Sequence, residues 1–318
     1  MQSLENRRFL FVTGKGGAGK TSVSAALALA LSRAGSRVLV TTSGARDTLS
    51  PMLASAGLAG AGPRAAEAIE LGTEIRRIAP NLWGVRLEAN VAMREYGAMV
   101  LHTPKLVNAL FDNKYVEGLF SGAPGLKEWA LLGKAWYHST ERLPNGEPRF
   151  NVIVFDAPAT GHGLDMLRVP RVILSAAPEG RLRKDAERAL NSLKDPAQSG
   201  VVVVSLPEEM PTNETLELLA ALETDLGLPV AEIVLNSTLE QLFSDEEGRA
   251  LEPFATYEGS DPAEAALGAA ARRALSERAQ RQSLERLSLT GVQVRALPRL
   301  DSSLSPAALA SALSAYLP

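Results

Sequence analysis

Two ammonium groups and a hydroxyl are threaded through four glycines in Gly14-Lys15-Gly16-Gly17-Ala18-Gly19-Lys20-Thr21. Glycines let backbone N–H groups converge on phosphate oxygens, and a following helix N-terminus adds partial positive charge. Lys20 is spaced to reach the β- and γ-phosphates, and the Thr21 hydroxyl to ligate Mg²⁺. This predicts that Gly14, Lys15, Gly16, Gly17, Ala18, Gly19, Lys20, Thr21 and Ser22 bind a nucleoside triphosphate with magnesium. A glycine-rich turn with a stray lysine is the plainer alternative. The flanks argue against it, because apolar Phe9-Leu10-Phe11-Val12 precedes the loop and Ala25-Ala26-Leu27-Ala28-Leu29 follows. Strand, loop and helix are the context such a loop requires.

A second constellation supplies the metal-side carboxylate. Val152-Ile153-Val154-Phe155-Asp156 reads as a strand ending in an aspartate, the setting of a residue that holds Mg²⁺ beside a phosphate loop. Asp156 capping a helix is the simpler alternative. The segment Ala157-Pro158-Ala159-Thr160-Gly161-His162-Gly163 behind it suits a switch that senses the γ-phosphate. Within it His162 is either a general base or a hydrogen-bonding partner of the loop itself.

The elements that must carry these groups alternate along the chain. Strand-like runs fall at 8–13, 37–42, 81–87, 151–156, 200–206, 230–236 and 292–297. Runs such as Val201-Val202-Val203-Val204 are apolar throughout, as strands buried on both faces of a parallel sheet are. Helical patterns lie at 20–34, 212–226 and 262–289. Together they predict an α/β, doubly wound, mainly parallel sheet of the P-loop class. Two stretches interrupt the rhythm: helical insertions at about 90–139 and at 164–193, the second broken at Pro170 and Pro178. We expect 1–318 to form a single domain, with 54–68 as a loop.

Composition bounds the function. Apolar residues make up 46% of the 318 and charged ones 22%, enough apolar surface for a sizeable core. A net charge of −3 gives no basic footprint, so no nucleic-acid partner is expected. No apolar stretch reaches the length of a membrane span, and the amino end leads directly into the first strand, so a cytoplasmic setting without a signal peptide or membrane insertion is expected. There is no cysteine, which excludes thiolate zinc sites and cysteine-held iron–sulfur.

Lys15 resembles the signature lysine of the deviant-loop ATPases, which act as dimers; the plainer reading is a solvated surface lysine. The resemblance becomes specific at Asp156-Ala157-Pro158-Ala159-Thr160-Gly161-His162, which is similar to the switch Asp-Thr-Ala-Pro-Thr-Gly-His of the arsenite-pump and guided-entry ATPases. Pro207-Glu208-Glu209-Met210-Pro211-Thr212-Asn213-Glu214-Thr215 and Ile233-Val234-Leu235-Asn236 echo that family further. The resemblance implies that Asn236 contacts adenine, that the loop near Pro298 lies against the base, and that Lys15 acts on the nucleotide of an opposite subunit. It also implies a catalytic set of Lys15, Lys20 and Asp156, with Thr21 and Asp156 on the metal. The helical insertions would form a client-binding surface for hydrophobic helices or membrane proteins, although ordinary core packing explains apolar stripes equally well.

The chain departs from that family at three points. Where the family's first switch reads Asp-Pro-Ala-His-Ser-Leu, this chain has Ser43-Gly44-Ala45-Arg46-Asp47-Thr48-Leu49. The water-positioning aspartate thus becomes Gly44, and Asp47 is the candidate replacement. Losing such a carboxylate slows hydrolysis by roughly 10²-fold or more. The zinc-clamping Cys-x-x-Cys of eukaryotic guided-entry members is missing, and the chain is one unit where the arsenite-pump ATPase has two. Soft arsenic and antimony prefer thiolates, so metalloid sensing is not expected. Two functions compete: a dimeric ATPase whose nucleotide state controls an apolar helical surface, and a weakly hydrolysing scaffold paired with a complete paralogue. The partner is therefore a second copy or a paralogue.

Overall fold

In the computed structural model, the described residues are 4–43, 47–54, 70–101, 125–158, 160–258 and 261–318. They form one eight-stranded sheet in the order β3-β4-β2-β5-β1-β6-β7-β8. The strands are β1 (Phe9–Gly14), β2 (Val38–Thr42), β3 (Arg76–Ala79), β4 (Leu82–Arg86), β5 (Val152–Asp156), β6 (Ser199–Ser205), β7 (Val230–Thr238) and β8 (Val294–Pro298). Every neighbouring pair is parallel except β3 with β4. The doubly wound, mainly parallel α/β architecture expected from the sequence is present.

Side-chain alternation along the central strands explains why both faces are covered. Leu10, Val12, Val152, Val154, Val202 and Val204 point to one face, where α1 (Lys20–Arg33) packs. Phe9, Phe11, Ile153, Phe155, Val201 and Val203 point to the other. Phe11 and Phe155 pack there as a tilted pair with centroids 5.2 Å apart. Each of these central strands is apolar on both sides because each side meets helices. β1 lies between β5 and β6, so the loop leaving it emerges at the centre of the sheet's carboxyl edge. That edge is where ligands bind in open α/β sheets.

The remaining helices are α2 (Ser50–Leu53), α3 (Ala89–Leu101), α4 (Leu126–Thr140), α5 (Thr160–Ala176), α6 (Arg181–Lys194), α7 (Glu209–Ala220), α8 (Asp245–Leu251), α9 (Pro262–Ser288) and α10 (Pro306–Leu313). α7 continues as a wider π turn over Ala221–Leu226 and stops at Gly227, whose φ is 58°. The second helical stretch breaks at Pro178, between α5 and α6, but not at Pro170, which lies inside α5. A proline there removes one backbone hydrogen bond, at a cost of about 3 kcal/mol. Burial of Met166, Leu167, Val169 and Ile173 along the same helix offsets it. α10 covers α1 and α2, burying Ala310 and Leu313 in the core on that face of the sheet.

The expected loop at 55–68, the apolar helical positions at 106–120, and the glycine standing for the family's aspartate, Gly44, lie outside the described residues. So does Ala159 in the second switch.

Candidate active site

Gly14 ends β1 with φ of 145°, and a Cβ there would drive into the Val204 carbonyl of β6. The glycine therefore lets the chain turn out of the sheet without a clash. At the other end of the loop Gly19, with φ of 89°, immediately precedes α1. Its Cα face is closed by Asn236, whose side-chain amide donates to the Ala18 carbonyl at 2.9 Å. Gly16 and Gly17 face solvent, Ala18 is fully buried, and Ser22 sits in the first turn of α1. The loop is thus pinned at both ends, with its middle open.

Lys20 donates to the Lys15 carbonyl at 2.9 Å, folding its ammonium back over the loop. Burial holds the Lys20 amine below the ordinary lysine range, with the Asp156 charge opposing. Lys15 points elsewhere: its ammonium meets Glu214 Oε1 of α7 at 2.6 Å.

Asp156, only 5% exposed, is the charged centre of the site. Thr21 Oγ1 donates to its Oδ2 at 2.9 Å and Ser24 Oγ to its Oδ1 at 3.1 Å, while Thr42 Oγ1 stands 3.5 Å from Oδ2. Burial pushes the carboxyl up to about 6, against the pull of the Thr21 and Ser24 hydrogen bonds and the Lys20 charge. A hydroxyl directly on a buried carboxylate is a hard oxygen pair suited to Mg²⁺, which takes one or two protein ligands and completes its shell with water and phosphate. Among the described residues no group of three or more His, Asp or Glu side chains could cage a metal unaided. The Thr21 hydroxyl and the Asp156 carboxylate are the donors whose chemistry fits magnesium.

Asp47 is engaged inside its own loop. Its Oδ1 accepts the Ser50 N–H at 2.9 Å, and its Oδ2 accepts the Ser50 hydroxyl and the Leu71 N–H, the latter at 3.1 Å. Both oxygens hold the turn into α2. Pro298 ends β8 and pairs with Thr238 at the carboxyl end of β7, two residues beyond Asn236. His162 is exposed on the first turn of α5. Thr13 Oγ1, Thr41 Oγ1 and Ser43 Oγ are buried without a hydrogen-bond partner among the described residues, all near the carboxyl ends of β1 and β2.

Sequence reasoning did not find three of these participants. Ser24 lies one helical turn after Thr21, on the same face of α1, and that spacing could have found it. Thr42 left no local signal, and Glu214, although inside the family-like segment 207–215, meets Lys15 only through packing of elements distant in the chain.

Beside the sheet, α3, α4 and α6 enclose a cavity of about 580 Å³. Met93, Tyr96, Met99, Trp129, Trp136 and Tyr137 line it. Its rim carries the Glu95–Lys134 pair and a hydrogen bond from the Tyr96 hydroxyl to Asp185 at 3.1 Å.

A central strand, a glycine-rich loop opening a helix, and a buried aspartate on the neighbouring strand define a P-loop nucleotide-binding α/β protein. More narrowly, the chain belongs to the anion-transporting ATPase family, which matches residues 7–179, more than half of it. It is 30% identical to the ATPase BagA of Mycobacterium tuberculosis over 236 residues, covering 74% of this chain and 66% of that one. It is 26% identical over 262 residues to the arsenical pump-driving ATPase of Escherichia coli, covering 75% and 41%. Against the ATPase GET3C of Arabidopsis thaliana identity is 24% over 280 residues, covering 77% and 70%. The chain thus spans a little under two thirds of the mycobacterial relative's length. The expected membership of the arsenite-pump and guided-entry ATPases holds.

Proposed function

We propose that this chain binds ATP with Mg²⁺ and hydrolyses it as a dimer, using the nucleotide state to open or close an apolar helical surface. The hydrogen bond from Thr21 to the buried Asp156 carries this reading, because it joins a phosphate-loop hydroxyl to a strand-end carboxylate at one point. The loop amides and Lys20 bind the triphosphate. Thr21 would hold magnesium directly and Asp156 through water; the ion, when bound, neutralises charge on the phosphate oxygens. Lys15 meets charge developing on the phosphates, in the opposite subunit of the dimer. Asn236 and the loop after Pro298 flank the adenine.

The whole chain, 1–318, acts as one domain in this reading, and the helices at 90–139 and 164–193 form its client or partner subdomain. The aromatic and methionine-lined cavity of α3, α4 and α6 supports that role, since methionine adapts to varied apolar partners. Among the described residues no helix is long and apolar enough to cross a membrane, which is compatible with a cytoplasmic protein handling hydrophobic-helix or membrane-protein clients.

One observation favours the second reading, a weakly hydrolysing scaffold paired with a complete paralogue: both Asp47 oxygens accept hydrogen bonds from Ser50 or Leu71, which ties this carboxylate to its own loop. Single-turnover hydrolysis by the purified chain separates the two. A rate matching complete family members supports the homodimeric ATPase; a rate about 10²-fold lower, with nucleotide still bound, supports the scaffold. Nucleotide-independent recovery of hydrophobic-helix clients in a pull-down would defeat the coupling of surface to nucleotide.

A further inference from the structure

Lys15 and Glu214 are 199 positions apart and meet at 2.6 Å. Both side chains are 34% exposed, so the pair stands at the surface of the loop rather than in the core. Glu214 reaches it from a firm platform. One residue on, Thr215 Oγ1 donates to Ser205 Oγ at 2.8 Å, tying α7 to the end of β6. Two residues before, the fully buried Thr212 donates to the Glu208 carbonyl at 2.7 Å. Asn213 Oδ1 accepts Arg286 Nη2 of α9 at 2.7 Å. The carboxylate is therefore presented at a set position, while Lys15 is a flexible cation on a glycine-rich turn.

We propose that Glu214 is the in-chain counter-charge of Lys15: it holds this lysine in reserve, and a triphosphate must displace it to recruit the ammonium. A partly exposed ion pair of this kind contributes little net stability, which makes it exchangeable. A triphosphate carries several negative charges where Glu214 carries one, so phosphate wins the competition once it is near. Glu214 is a positioning residue in this scheme, acting only through Lys15, and the inference rests on the reading that Lys15 serves a triphosphate.

The test is a double-mutant cycle on the full chain with Glu214→Gln, Lys15→Ala and both together. The probes are Mg²⁺–ATP affinity, KM and kcat, and sedimentation with an unhydrolysable ATP analogue. Glu214→Gln is expected to tighten ATP about threefold to tenfold, lowering KM more than it changes kcat. It should also raise the dimer fraction at a given protein concentration. In the Lys15→Ala background the same change should have no effect. Tightening that persists unchanged without Lys15 would mean simple repulsion of phosphate by Glu214 and would overturn the proposal, as would weaker ATP binding by Glu214→Gln. Glu214→Ala provides a second variant with the same expectation. If Lys15→Ala alone leaves binding, turnover and assembly untouched, the fault lies with the role given to Lys15.

Discussion

Asn236 fastens the phosphate loop from the far side of the sheet: its amide donates to the Ala18 carbonyl at 2.9 Å and stands against Gly19, where a Cβ would collide with it. β7 thereby braces a loop that begins at the end of β1, with β6 lying between them. Asn236→Ala should loosen the loop and weaken ATP about tenfold, the scale of one buried hydrogen bond. Gly19→Ala should do more, because it adds a strained positive φ to the collision. Nucleotide titration alongside far-ultraviolet dichroism checks both, with the fold expected to persist.

Thr21→Val keeps the shape of the side chain and removes its hydroxyl. The expected result is loss of the magnesium dependence of nucleotide binding and a fall in hydrolysis of about 10²-fold. Binding measured in the presence of a chelator should change little. Calorimetry with and without Mg²⁺ reads the difference, and an intact magnesium effect would count against Thr21 as a ligand.

Asp156 lends itself to a pH experiment. Its carboxyl is pushed from the usual 3.8 up to about 6 by burial. The folded protein therefore holds this proton more tightly than the unfolded chain, and stability falls as pH rises from about 4 to about 6. Above that the cost is complete. In metal-free, nucleotide-free buffer, Asp156→Asn should gain roughly 1–3 kcal/mol over the parent at pH 7 and almost nothing at pH 4. Chemical denaturation across that range gives the two curves; parallel curves would contradict the assignment.

Asp47 should behave as a structural residue. With its oxygens on Ser50 and Leu71, Asp47→Ala is expected to cost about 1–2 kcal/mol of stability. The kcat of the surviving folded protein should stay within about threefold of the parent. A loss of turnover of about 10²-fold with unchanged stability would instead make Asp47 the residue that orients water.

Much of this was legible in the chain. Phe9–Gly14, the glycines and Lys20–Arg33 announce themselves because apolar runs, turn residues and helix formers follow one another locally. β3 was not legible: Arg76-Arg77-Ile78-Ala79 is short, with both arginines exposed, as an edge strand can be when only one side pairs. The continuation of α5 through Pro170 was hidden for the opposite reason. Local preference opposes it, and burial along the whole helix overrules that preference.

By itself the sequence determined the phosphate-loop signature from which the class of ligand is proposed, because a cradle of backbone amides depends on glycines at set spacings and on one strand and helix on either side. Tertiary structure alone decided the counter-charges. Which carboxylate faces Lys15, that Thr42 reaches Asp156, and that Asp47 holds Leu71 are matters of distance between segments far apart in the chain. Charge pairs and hydrogen bonds act over a few ångströms of space, and only packing of the sheet and its helices sets those separations.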